Sequence, residues 1–434
     1  MRPPKSVALA LLLVVSLLIG ACGVNNVPNG LPEQPLAPTP AEPVQPDVEI
    51  QPTPEPIEPD DDVEVDPAEQ VTIEVWHGYT EIEEQTFRSV LEDFVADNPH
   101  ITINLQVVPF DQLQMRFQAE AAAGLGPTLT TGPQDRMAFY AQANLLASIP
   151  EDAEFLAMID QSSVDGARFE GQLLGVPINS QVVAMLYNTS IVDTAPETMD
   201  ELLALAEDHG LAITSNWFDN YMWLPAFDAQ LFDEDFVCVL DLTGGEEALA
   251  YLRDVCESPG VICDPNDGDM DTLFRQGEVA FRFQGPWAVG DTIADLGEEN
   301  VAVAPIPTIE GVGDPQPWNQ VEVVQINLNA TEAEQDAALE LIAYLVSEEV
   351  QQTFLEQANW VPINEDVDVS GNPVVGGFVE QLPRSRPFPV APPLAATWEP
   401  MQNAVIQVLE GVRTPEDAAI EACELINAAT DRTR

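Results

Sequence analysis

The chain has 434 residues, 45% of them apolar, and its 74 acidic residues stand against 14 basic ones. That imbalance excludes a non-specific nucleic-acid binder, because such a surface repels phosphate. The length suffices for two or three domains' worth of packed core.

At the start of the chain, Arg2 and Lys5 precede an apolar run over residues 7–21, which ends in Leu18-Ile19-Gly20-Ala21-Cys22. The run is short of the roughly 20 residues a bilayer span needs. It reads as a lipoprotein signal peptide over 1–21, cleaved before Cys22, which would then carry lipid. Lys5 is the sole lysine. The mature chain therefore has no P-loop lysine, no Schiff-base lysine and no kinase-type lysine. Any ATP that powers its process binds to another chain.

Residues 23–69 hold twelve prolines and twelve acidic residues, with no lysine, arginine or aromatic. Such a segment buries too little to fold, so 22–69 is predicted to be a disordered, self-repelling tether.

The body begins with strand-like alternation over 71–76. Thr80 and Glu83 have the spacing of a capping box. Phe87, Val90, Leu91, Phe94 and Val95 then recur at helical spacing until Asn98-Pro99. Alternation returns over 101–107, a helix is predicted over 112–123, and Gly124 to Pro127 stops it before a short strand at 128–131. This order argues for a mostly parallel sheet covered by helices. Further strands are expected over 176–187, around Phe281, at 301–305 and at 321–328. Helices are expected at 199–207, Gly245–Cys256, 270–275, 332–358, Trp398–Leu409 and Pro415–Ala429.

Gly285-Pro286-Trp287 closes the strand around Phe281. Proline fixes φ and lacks an N–H, so the pair ends the strand and can aim the indole rigidly into a cleft. Sugar rings have an apolar C–H face that suits an aromatic plate and a hydroxyl rim that suits carboxylates, amides and arginine.

Cys238, Cys256, Cys263 and Cys423 are expected to pair outside the cell, and sequence leaves all three connectivities open. Their spacing fits no zinc pattern and no histidine lies near, so no metal is expected. Asp264 to Asp269 lacks the glycine position and twelfth-place glutamate of a calcium loop and reads as a solvated turn.

Several motifs together resemble the extracellular solute-binding proteins of ABC importers, in their maltodextrin-binding branch. They are Val75-Trp76-His77-Gly78, the step from Phe94 through Asn98-Pro99 to 101–107, and Asp135-Arg136 with Tyr140-Ala141-Gln142 and Leu145-Leu146. Gly171-Gln172-Leu173-Leu174-Gly175-Val176-Pro177, Leu186-Tyr187-Asn188, and Phe274 with Gly277-Glu278 and Gly285-Pro286-Trp287 complete the set. The resemblance implies an α/β, two-lobe periplasmic-binding-protein type II fold with hinge crossovers. Lobe 1 would span 70–179 plus 324–364, and lobe 2 would span 180–323 plus 365–434. It implies a monomeric, lipid-anchored receptor outside the cytoplasm that captures a sugar, needs no cofactor and serves a permease and an ATPase on separate chains.

The ligand set that follows is Trp287 and Trp398 as stacking plates, with Asp135 and Arg136 at a strand exit. His77, Gly78 and Tyr79 follow the first strand of the body. Asn179 and Gln181 sit at the first crossover, and Gln114 matches a weaker family contact. Trp217, Asn220 and Tyr221 form an aromatic-polar loop. Gly132 stands where maltodextrin binders carry a cleft tryptophan, and Gln181 replaces a family carboxylate. Two other readings remain: a binder of a cationic or zwitterionic solute such as a polyamine or osmolyte, and a surface glycoside hydrolase. Against the enzyme, no H-E-x-x-H or G-x-S-x-G motif occurs.

Overall fold

The computed structural model describes residues 55–57 and 70–432, all within one compact unit, Thr53–Arg434. The predicted signal peptide, Cys22 and most of the predicted tether lie outside the described residues.

Strand β1 (Glu55–Ile57) lies inside that tether, which corrects the expectation for three residues. It pairs antiparallel with β3 (Ile101–Val107), itself parallel to β2 (Val71–His77). Ile57 packs into the adjoining core. Composition hides this, because the gain comes from covering an open sheet edge rather than from the segment itself. Helix α1 (Glu81–Asp97) buries Phe87, Val90, Leu91, Phe94 and Val95, the stripe that the periodicity predicts. Helix α2 (Phe110–Ala122), strand β4 (Leu129–Pro133) and helix α3 (Gln134–Gln142) follow. In the first sheet the order runs β1-β3-β2-β4 and then strand Trp318–Ile326, with Val176–Val182 and Arg386–Pro387 also paired to that long strand.

A second sheet is ordered Val261–Asp264, Leu211–Thr214, Phe281–Gln284, Ala184–Asn188 and Val301–Ala304. Its first three strands are parallel and the last two pairings antiparallel. Each sheet has its own apolar core. The antiparallel strands Val176–Val182 and Trp318–Ile326 run from one core to the other: Val176, Ile178, Val323 and Ile326 pack in the first, Trp318 in the second. Two sheets linked by long through-running strands are the two-lobe fold that the motifs imply.

Three local details depart from expectation. Thr80 is the N-cap of α1, but its side chain makes no capping bond. Glu83, its expected partner, accepts instead from Trp360 Nε1 at 2.7 Å. The stretch 332–358 forms two helices, Glu332–Leu345 and Glu348–Ala358, with Ser347 extended at ψ 152° between them. Strands Leu211–Thr214 and Val261–Asp264 went unread because four residues give too short a pattern for alternation. The disulfides are Cys238–Cys423 and Cys256–Cys263. The first joins residues 185 apart and ties helix Pro415–Ala429 to the second core.

Candidate functional site

The parallel strands of both sheets end at the same place. After β2 come Gly78, Tyr79, Thr80 and Glu83. After β4 come Asp135 and Arg136, at the start of α3. After Leu211–Thr214 come Asn216, Phe218 and Asp219, after Val261–Asp264 comes Asp267, and after Phe281–Gln284 comes Trp287. These exits, with Gln181, Gln320 and Glu322 from the through-running strands, enclose a cavity of about 650 Å³. The carboxyl ends of parallel strands are where open α/β sheets hold ligands, and the volume suits a small or medium-sized molecule.

Of the residues expected from sequence, Trp287, Trp398, Asp135, Arg136, Gly78, Tyr79, Gln181 and Gln114 line this cavity. His77, Asn179, Trp217, Asn220 and Tyr221 do not. His77 is fully buried beside Tyr79 and Phe87, and burial first, then Arg88, lowers its pKa to about 3. Its Nδ1 accepts from the Tyr79 N–H at 3.2 Å, so it shapes the strand exit from beneath as a neutral ring. Asn179 is buried opposite Glu322 in the strand register.

The aromatic-polar loop has helical geometry over Trp217–Asn220, and that decides which side chains face inward. Positions 217, 220 and 221 share one face at helical spacing. Trp217 packs edge-on to Trp318, and Tyr221 stacks on Trp318 at 3.8 Å. Asn220 donates to the carbonyls of Thr214 and Asn216 and accepts from Trp223 Nε1. The cavity receives Asn216, Phe218 and Asp219 instead. Polarity drew the expectation to the wrong face; the start of a strand-to-helix turn was the signal that could have found the right one.

Trp287 and Trp398 are half-buried plates packed on the second core. Gly285 lets the Trp287 ring fold back over the chain: a Cβ there would lie 2.1 Å from ring atom Cζ3. Arg136 is 8% exposed, lies 3.7 Å over the Phe110 ring, and its Nη1 has no hydrogen-bond partner. It therefore has a donor to offer. Gly132 is open, with only Arg136 Cδ, at 3.7 Å, near the place of a side chain. On the through-running strands, Gln320 donates to Gln181 at 2.9 Å, and Tyr79 Oη donates to Glu322 at 3.3 Å.

Five carboxyls line the cavity: Glu83, Asp135, Asp219, Asp267 and Glu322. Burial chiefly raises Glu83 to about 8, Asp135 to about 6, and Asp219 and Glu322 to about 7. Arg136 opposes the rise at Asp135 and Glu322, whereas Asp267 adds to it at Asp219. Behind them Arg282, 1% exposed, holds Asp267 and Asp271 at 2.7 Å each. Elsewhere between the lobes, Ile82 of α1 abuts Gly290 on helix Val289–Leu296, and Arg275 reaches Glu81 at 3.7 Å and Asp295 at 2.6 Å. Helix α1, which follows the first strand of the body, is thus in contact with elements that flank the second sheet.

Paired α/β lobes around one cavity of aromatic plates, carboxyls and amides define a two-lobe binding protein. The chain belongs to the bacterial extracellular solute-binding protein family, which matches residues 89–374. A maltotriose-binding protein of Pyrococcus abyssi is 26% identical over 369 residues, covering 80% of this chain and 79% of that protein. A maltooligosaccharide ABC transporter solute-binding lipoprotein of Streptococcus pneumoniae is 23% identical over 342 residues, covering 72% and 78%. The solved maltose/maltodextrin-binding domain of Bdellovibrio bacteriovorus bound to maltotriose has a TM-score of 0.76 at 24% identity, covering 83% of this chain and 100% of that one. The family and the names of these similar proteins are those of binding proteins, and the chain is a binding protein.

Proposed function

We propose that this protein captures a carbohydrate of the maltooligosaccharide class between its lobes and delivers it to an ABC permease whose ATPase is a separate chain. The single observation that carries this reading is the joint presence of Trp287, Trp398 and five carboxyls around one cavity. Indole faces cover the C–H side of a pyranose, while carboxyls, amides and Arg136 bind its hydroxyls. The names of the relatives, for maltotriose and maltooligosaccharides, point the same way. Within this reading Trp287, Trp398, Asp135, Arg136, Gly78, Tyr79, Gln181 and Gln114 contact the ligand. His77, Asn179, Trp217, Asn220 and Tyr221 support them from behind. The lobes are 70–179 with 324–364 and 180–323 with 365–434. Cys22 carries the lipid anchor, and the acidic, proline-rich segment holds the body off the membrane as a monomer.

A cationic solute is the reading with a specific observation of its own, since five cavity carboxyls face one guanidinium. A thermal-shift screen of the protein without its leader separates the two. Maltotriose at 100 times its dissociation constant is expected to stabilise by about 2.7 kcal/mol. Stabilisation by spermidine or glycine betaine, with none by maltotriose, maltose or galactooligosaccharides, would contradict the carbohydrate reading.

A further inference from the structure

We propose that Glu83 is an additional specificity-determining contact, which meets a sugar hydroxyl as a hydrogen-bond donor, a proton-carrying carboxyl rather than a carboxylate. The proposal rests on the carbohydrate reading of the cavity. Glu83 stands in the first turn of α1, where a carboxylate would ordinarily cap the helix. It is turned elsewhere: it lines the cavity, and its Oε1 accepts from Trp360 Nε1 at 2.7 Å. One oxygen is thereby taken by a fixed donor, and the other remains for a second partner.

No cation is placed to hold the group ionised. On its own helix, Arg88 is 2.8 Å from Glu84 and is committed there. Arg275, on helix Asp267–Arg275, is engaged with Asp295 and Glu81. From the long strand Trp318–Ile326, Glu322, and from helix Val289–Leu296, Asp291, are carboxyls whose ionised forms oppose the ionisation of Glu83. Tyr79 is its other titratable neighbour and feels the same repulsion. Strand β3, packed under α1, has no charged residue, and Glu348, Glu349 and Glu356 of the adjoining helix Glu348–Ala358 are exposed to solvent. Burial first, then Glu322 and Asp291, against the Trp360 hydrogen bond, raise the carboxyl to about 8. At neutral pH it keeps its proton. A sugar's hydroxyl oxygens need donors, and a carboxyl offers one only while it keeps its proton. Glu83 supplies one beside Arg136.

The sign of the pH effect follows. If the sugar needs the protonated form, affinity is insensitive to Glu83 below about pH 8 and falls by up to about tenfold per pH unit above it. The test is calorimetric titration of maltotriose between pH 6 and 9.5 into the unsubstituted protein, Glu83→Gln and Glu83→Ala, with carbon-13 NMR of the Glu83 carboxyl. Glu84→Gln, outside the cavity, is the control for the helix. Glu83→Ala is expected to weaken binding at pH 7 by about tenfold or more, the loss of one well-placed hydrogen bond. Glu83→Gln, which keeps an N–H donor, is expected to lose only a few-fold and to abolish the extra fall above pH 8. A carboxyl that titrates near 4.5 in the NMR experiment overturns the proposal. So does Glu83→Ala binding as tightly as the unsubstituted protein, or Glu83→Gln keeping the full fall. If the unsubstituted protein binds no maltotriose at any pH, the carbohydrate reading itself fails.

Discussion

Replacing Trp287 with alanine is expected to weaken maltotriose binding by roughly 30-fold or more, the effect of removing an aromatic anchor from a desolvated pocket. The fold should survive, because the ring is half-buried and lies at the edge of the second core. Its pose is set by the backbone. The strand Phe281–Gln284 ends at Gly285, Pro286 fixes the next φ, and the indole lies back over the glycine, where a Cβ would come within 2.1 Å of the ring. Gly285→Ala should therefore displace the plate and lose most of the affinity with Trp287 still present. Calorimetry together with circular dichroism decides the matter. A Trp287→Ala protein that melts early yet binds normally would make the indole a packing residue and remove the main support for sugar stacking.

The largest expected effect on stability falls at Arg282. This side chain is 1% exposed and is the counter-ion of Asp267 and Asp271, both 2.7 Å away, with Asp219 close enough to feel all three. Arg282→Ala leaves three carboxyls crowded without a cation. Removing one partner of a fully buried ion pair costs about 3–5 kcal/mol. Asp267 and Asp271 keep 48% and 25% of their side-chain surface exposed, so water screens part of the loss here and the cost falls below that range. The loss should depend on pH in a definite direction. Without the arginine, the folded-state pKa values of Asp219 and Asp271, which burial already raises, rise further. The folded state then binds protons that the unfolded state does not, so stability is regained as pH falls through that window and is lowest above it. Urea unfolding at pH 8 and pH 5 should show a large deficit at the first and a smaller one at the second. An equal deficit at both, or none, would mean that the arginine does not neutralise this cluster. Maltotriose affinity should also drop, because Asp219 and Asp267 line the cavity.

Much of this architecture was legible in the residues, and the failures have local physical causes. The α1 stripe from Phe87 to Val95 and the helices Gly245–Cys256, Trp398–Leu409 and Pro415–Ala429 follow from periodicity long enough to be unambiguous. The strands Leu211–Thr214 and Val261–Asp264 escaped because each is a central or edge strand of four residues fixed by its neighbours. At Thr80 and Glu83 a local capping rule lost to a tertiary one: the indole of Trp360, 277 positions away, donates to the Glu83 carboxyl. The genuine capping boxes are Thr198 with Glu201 and Thr331 with Glu334. In the cavity, some residues that follow strand ends were found, as with Asp135 and Arg136. Asp219, Asp267, Gln284 and Glu322 were missed because polar residues on strands and short helices reveal their facing only once the pairing register is known.

The measurement that bears most directly on the central claim is solution X-ray scattering of the body with and without saturating maltotriose. Contacts such as Ile82 against Gly290 and Arg275 near Glu81 join the two halves of the molecule, and a ligand gripped from both sides must favour them. The account predicts a smaller radius of gyration with maltotriose, and a liganded curve that matches the structure described above. An identical curve with and without sugar, under conditions where calorimetry shows the site filled, would contradict capture by closure of two lobes.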